Sequence, residues 1–142
     1  MNQAPAAVLC AVIFVWLGMI LAISFLEAPL KFRAPGVTIP IGLGIGRLVF
    51  RALNRAEVVL AMVAVIALAA GRPPASVVAL FATVVVILTG QLTAVRPRLN
   101  RRSDRVLAGE TSTRSTVHLS YVALETAKVF ALTALGIVLL TT

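Results

Sequence analysis

The chain has 142 residues, of which 60% are hydrophobic and 13% charged, with a mean hydropathy of +1.03 and a net charge of +8. Ordinary soluble domains carry about a quarter charged residues, so this composition excludes one and points to a membrane protein. With roughly 20 residues needed to cross the hydrocarbon core, the length admits four spans and short connections but no separate soluble domain.

The first apolar run extends from about residue 5 to 27 and contains the single cysteine, Cys10, which rules out an internal disulfide. It lacks the basic segment that opens a secretory signal and exceeds the usual apolar length of one, so it reads as a transmembrane helix. Glu27-Ala28-Pro29 marks its end. Beyond it, Pro35-Gly36 predicts a turn and Pro40 a further break. The glycines at 42, 44 and 46 lack a preceding strand and the spacing of a nucleotide loop, so no phosphate site is predicted there. Leu43 to Leu53 reads instead as a short interfacial helix, with Arg47 and Arg51 toward headgroups and Leu43, Phe50 and Leu53 dipping into the acyl boundary.

Asn54 followed by Glu57 three residues later resembles a helix N-cap with its acid and predicts a second span over about 56–71, closed by Gly71 and the Arg72-Pro73-Pro74 turn. The third span covers about 75–95. Its many valines do not argue for a strand, because only helices or closed barrels satisfy the backbone in lipid. An arginine-rich loop, Arg96 to Arg114, precedes the fourth span at about 115–140.

Lys31, Arg33, Arg47, Arg51 and Arg55 lie between spans one and two, and Arg96, Arg98, Arg101, Arg102, Arg105 and Arg114 between spans three and four, whereas Arg72 stands alone between two and three. The bias is eleven against one, and the positive-inside rule puts both termini outside a cell (inner) membrane. These arginines serve topology and anionic lipid headgroups rather than nucleic acid; Arg47, Arg51, Arg98, Arg101 and Arg102 are the candidate lipid contacts.

The most informative stretch runs from Arg114 to Lys128. At about 100° per residue, His118, Tyr121, Glu125 and Lys128 fall within one stripe roughly 80° wide, and Ala123, Ala127 and Ala131 form a small-residue face opposite, as at close helix contacts in lipid. Both sides of this helix are expected to be buried. Glu27, Glu57 and Gln91 sit at the same level in the other spans. Ionisable side chains inside a membrane face the bundle or a water-filled cavity, so these seven residues predict a shared polar pocket open to the cytoplasm.

Two uses of that pocket follow. As a proton or small-cation site, Glu27, Glu57 and Glu125 supply oxygens, His118 a titratable imidazole and Tyr121 a hydroxyl relay. As structural glue, Glu125 pairs with Lys128 one turn on and His118 donates to Glu27 or a carbonyl. Taken singly, Glu57 reads as a helix N-terminal acid, Lys128 as a residue that snorkels to headgroups, and Tyr121 and Trp16 as ordinary membrane aromatics. No hydrolase or metalloprotease motif and no second histidine is present, so the reading is non-enzymatic, with no cofactor and no metal.

Phe25 to Pro29 (F-L-E-A-P), Gly46 to Phe50 (G-R-L-V-F), Leu99 to Arg102 (L-N-R-R) and His118 to Glu125 (H-L-S-Y-V-A-L-E) resemble the small four-span bacterial membrane proteins of unknown function, distantly similar to the eukaryotic transmembrane proteins linked to cisplatin resistance. The resemblance covers most of the chain. It implies a four-helix membrane fold without an established catalytic activity. The fold class expected is therefore an all-α integral membrane four-helix bundle in one domain, residues 1–142. The function expected is that of a small transporter, channel or ion-coupled component, or alternatively an accessory subunit or assembly factor of a larger complex. Four short helices hardly enclose a pore, so several copies or a larger assembly would be needed for a continuous path.

Overall fold

A computed structural model describes residues 1–109 and 116–142, so Arg114 and Ser115, at the start of the polar stretch, lie outside the described residues. Among those described there is no strand, and four long helices make an all-α bundle: α1 (Gln3–Arg33), α2 (Ile39–Gly71), α3 (Ala75–Leu107) and α4 (Thr116–Thr141). All four are long and apolar enough to cross a membrane. They are compatible with a small multi-pass membrane protein.

Three helices run further than the sequence suggests. Pro29 does not end α1; the helix widens into a π-helical stretch, Leu21–Glu27, then passes through the proline to Arg33. The same arrangement recurs in α3, where Gln91–Val95 is π-helical ahead of Pro97 and the chain stays helical to Leu107. A proline cannot donate to the carbonyl four residues back and clashes with it, and a wider turn upstream relieves that conflict. The arginine-rich segment from Arg96 is thus an extension of α3 and not a loop.

The second correction concerns α2. It is continuous over 33 residues, so the predicted interfacial helix and second span are one element. Asn54 caps nothing, and Glu57 is buried in the helix interior rather than at an N-terminus. The start lies at Thr38, whose hydroxyl accepts from the Ile41 amide at 3.4 Å, with Pro40 in the first turn, where a missing N–H costs nothing. Leu53 is buried, Phe50 packs edge-on against Tyr121, and Leu43 lines a cavity, so none of the three dips outward into the acyl boundary.

α1 packs against α2 and α4, and α4 against α3, while the first half of α2 meets the last turns of α3. The core occupies the half of the bundle that holds the termini: Leu9, Ile13 and Trp16 of α1, Ala64 of α2, Val77 and Val84 of α3, and Leu132 and Leu135 of α4. At that end the Asn2 amide donates to the Gly71 carbonyl at 2.9 Å, tying the N-terminus to the α2–α3 turn, where Arg72 takes a left-handed φ of 53°. Only one side of α4 is covered. Ala123 and Ala127 face outward, contrary to the expectation that both faces of this helix are buried.

At the opposite, arginine-rich end, the connection between α1 and α2 turns at Gly36 (φ 81°) and folds Phe32 back onto α2. A Cβ at Gly42 would lie 2.2 Å from the Phe32 ring, so the ring seats where only glycine leaves space. Gly42→Ala is expected to displace Phe32 at an overpacking cost of about 1–3 kcal/mol. Thermal unfolding in detergent, compared with Gly44→Ala at an open position, measures it.

At 1.5 Å per residue, α2 and α3 are each about 50 Å long, against a hydrocarbon core of about 30 Å. At the arginine-rich end their turns form two walls, Arg47, Arg51 and Arg55 on α2 and Arg96 to Arg105 on α3.

Candidate functional site

Four helices meet at a fully buried ionic network. The Lys128 ammonium of α4 donates to Glu57 Oε2 of α2 at 2.6 Å and to the Gln91 side-chain carbonyl of α3 at 2.7 Å, and lies 3.2 Å from Glu125 Oε2 on its own helix. Its three N–H groups thus face three acceptors. Gln91 in turn donates through Nε2 to Glu125 Oε2 at 2.6 Å, which fixes its amide as a link between cation and carboxylate. The second oxygen of Glu125 accepts from the Ser24 hydroxyl of α1 at 2.9 Å. Glu57, Gln91, Glu125 and Lys128 are all at most 2% exposed.

The network lies about 20–24 Å from the terminal end of the bundle along α2, α3 and α4. Charges at that depth persist because each is paired and hydrogen-bonded. One atom stands apart: Glu57 Oε1 has no hydrogen-bond partner among the described residues, nor has the Trp16 indole N–H, and the two side chains are neighbours. Both π-helical stretches fall at this level, so that Ser24 and Gln91 each project from a wide turn. Such turns are frequent where a helix presents functional side chains.

Above the network a cavity of about 440 Å³ opens toward the arginine-rich end. Glu125, Ser24 and Tyr121 lie at its inner part, and His118, Lys31, Arg47, Arg96 and Arg102 line it further out. Apolar walls come from Phe25, Phe32, Leu43, Phe50 and Leu99. Arg96 lies beside two rings, its guanidinium carbon 4.7 Å from the Phe50 centroid and 4.4 Å from that of Tyr121, in the corner that the two nearly perpendicular rings make. Lys31 Nζ is 5.6 Å from the Phe50 centroid and 3.7 Å from Glu27. Cation–π contacts of this kind orient a charge without neutralising it. The cavity therefore combines a cationic lining, an apolar body and one carboxylate that belongs to the buried network.

Of the seven predicted pocket residues, the structure joins Glu57, Gln91, Glu125 and Lys128 directly and puts Tyr121 and His118 on the cavity. Glu27 is the exception. It pairs locally with Lys31, four residues on, and is neither among the residues lining the cavity nor hydrogen-bonded to Glu125. The wide turn of α1 advances through fewer degrees per residue than an α-helix, so Ser24 and Glu27 no longer share a face, and Ser24 takes the place expected for the acid. Lys128 does not snorkel; it is fully buried. Among the predicted headgroup arginines, Arg51, Arg98 and Arg101 are exposed, Arg102 lines the cavity, and Arg47 pairs with Asp104 of α3. Ser24 and Arg96 belong to the candidate site without being legible in the sequence: a lone serine in an apolar run carries no signal, and Arg96 is one of many basic residues in its segment.

Comparison with protein-family models, with curated proteins and with solved structures found no match for this chain.

Proposed function

We propose that the protein is a non-enzymatic, ion-coupled component of a cell membrane, with both termini outside and the arginine-rich end in the cytoplasm, that binds a small anionic ligand in the cavity and couples it to a proton on Glu125. The carrying observation is that a cation-lined cavity ends on a carboxylate of a buried network. An anion entering the cavity is attracted by Lys31, Arg96 and Arg102 and repelled by Glu125. Protonating Glu125 removes the repulsion, so anion and proton each favour the other's binding by the same factor.

The far half of the bundle is close-packed, with Trp16, Ile20, Leu132 and Leu135 fully buried, so a single copy offers a one-sided site rather than an open channel. Transport then requires the helices to part or several copies to assemble.

Proteoliposomes carrying a pH-sensitive dye test the proposal: an inward chloride gradient should drive proton uptake above that of protein-free vesicles, and Glu125→Gln should return it to background while the variant still elutes as a folded species. Wild-type flux no faster than empty vesicles would sink the reading. For orientation, a cysteine at Ser103 in a Cys10→Ser background should resist impermeant thiol reagents added to intact cells; labelling from outside would reverse it.

A second reading, an accessory subunit or assembly factor of a larger membrane complex, draws on the saturation of Lys128 and on the outward face at Ala123 and Ala127. It requires a stable partner retained on gentle purification, and a monodisperse lone bundle counts against it.

A further inference from the structure

A second concavity, about 420 Å³, lies on the flank of the bundle where α2 meets the end of α3. Arg47, Arg51 and Arg55 repeat at four-residue intervals along α2, and Arg96 of α3 faces them across the groove. Among the described residues no carboxylate lines it. Asp104 neutralises Arg47 from outside the groove, which leaves the charges of Arg51, Arg55 and Arg96 uncompensated by the lining. Arg51 and Arg55 are exposed. The Nε and Nη2 atoms of Arg96 are buried and have no acceptor among the described residues. A cluster of guanidinium groups with few opposing charges suits an oxygen-rich anion, to which arginine donates in pairs.

The same groove changes character along α2. One turn past Arg55 it is walled by Val58 and Val59, respectively 39% and 53% exposed, and by Leu92 from α3. Counted from Gly71, the three α2 arginines stand about 24–36 Å from the terminal end, bracketing the edge of a hydrocarbon layer about 30 Å thick. Arginines lie at headgroup level and valines at acyl level. A free phosphate ion would use the first half of this groove and none of the second.

We infer that the groove is a site for one anionic phospholipid, its phosphate held by Arg51, Arg55 and Arg96 and the upper part of an acyl chain lying along Val58, Val59 and Leu92. The groove adjoins the cavity proposed for the small anion and shares Arg47, Arg96 and Asn100 with it, whereas Arg51 and Arg55 line the groove and not the cavity.

Native mass spectrometry of the full chain in mild detergent, titrated with phosphatidylglycerol or phosphatidylcholine of identical acyl chains, tests it. One phosphatidylglycerol should be retained at least about tenfold more strongly than phosphatidylcholine. Arg51→Gln with Arg55→Gln should reduce that retention by roughly thirtyfold, a factor consistent with two basic side chains at a lipid surface. The Lys pair at the same positions should keep most of it. Arg98→Gln with Arg101→Gln, exposed but outside the groove, should change it less than about twofold. Equal retention of the two lipids, equal losses from the two glutamine pairs, or displacement of the lipid by millimolar inorganic phosphate would each overturn the assignment.

Discussion

Lys128→Met is expected to be the most damaging single substitution in the chain, lowering stability by about 3–5 kcal/mol. The methionine fills a similar volume, so packing survives. What is lost is the one cation shared by two buried carboxylates, Glu57 and Glu125, and by the Gln91 carbonyl. Removing one partner from a buried ionic cluster leaves the others uncompensated, which is worse than having no cluster at all. A compensated variant separates these terms: Lys128→Met combined with Glu57→Gln and Glu125→Gln should recover more than half of the loss, because amides are far less costly to bury than carboxylates. Thermal unfolding followed by loss of the monodisperse elution peak in detergent measures all three proteins. A single variant as stable as the wild type would show that the network does not hold the helices together.

Trp16→Ala is the second large effect, about 3–5 kcal/mol for removing a buried indole. Trp16 is fully buried, just toward the terminal side of the network, and is the only tryptophan in the chain. In lipid, where apolar burial drives little helix association, close contact between side chains supplies much of the stability, so a void here is felt by every helix around it. Trp16→Phe divides the loss in two. It keeps most of the ring but removes the N–H that neighbours Glu57, and is expected to cost less than half as much as alanine. Unfolding in mixed micelles, monitored by far-UV circular dichroism because the fluorophore itself is replaced, reads both. A phenylalanine variant as impaired as the alanine one would shift the weight from packing to the polar neighbour.

The class of the fold is readable from the sequence because lipid leaves little choice: four apolar runs with polar breaks admit only four helices. The buried network is readable too. Glu57, Gln91, Glu125 and Lys128 stand out against apolar neighbours, and the rarity of such residues in spans is a physical signal. Element boundaries are another matter. Pro29, Pro40 and Asn54 each look like a break or a cap, yet proline in a first turn is harmless, proline after a wide turn is tolerated, and an Asn-x-x-Glu pattern occurs in helix interiors by chance. Glu27 lies off the face that its spacing predicts for a related cause. Helical-wheel geometry assumes a constant turn angle, and α1 changes its angle just before that residue. Arg96 shows a different blind spot, since a charge count gives each arginine the same weight and cannot tell one at the surface from one packed against Phe50 and Tyr121.

In the membrane placement proposed above, the overhang of α2 and α3 beyond the apolar layer has an electrostatic consequence for an anion entering the cavity. Its mouth lies among water and mobile ions, where attraction between charges fades over about 8 Å at physiological ionic strength. Its inner end lies at hydrocarbon depth, where the effective dielectric constant is lower and the same charges act several times more strongly. Raising the salt concentration should therefore slow the arrival of an anion far more than it hastens its departure. The entry rate would carry the ionic-strength dependence, and selectivity would be decided beside Glu125, out of reach of the bulk electrolyte.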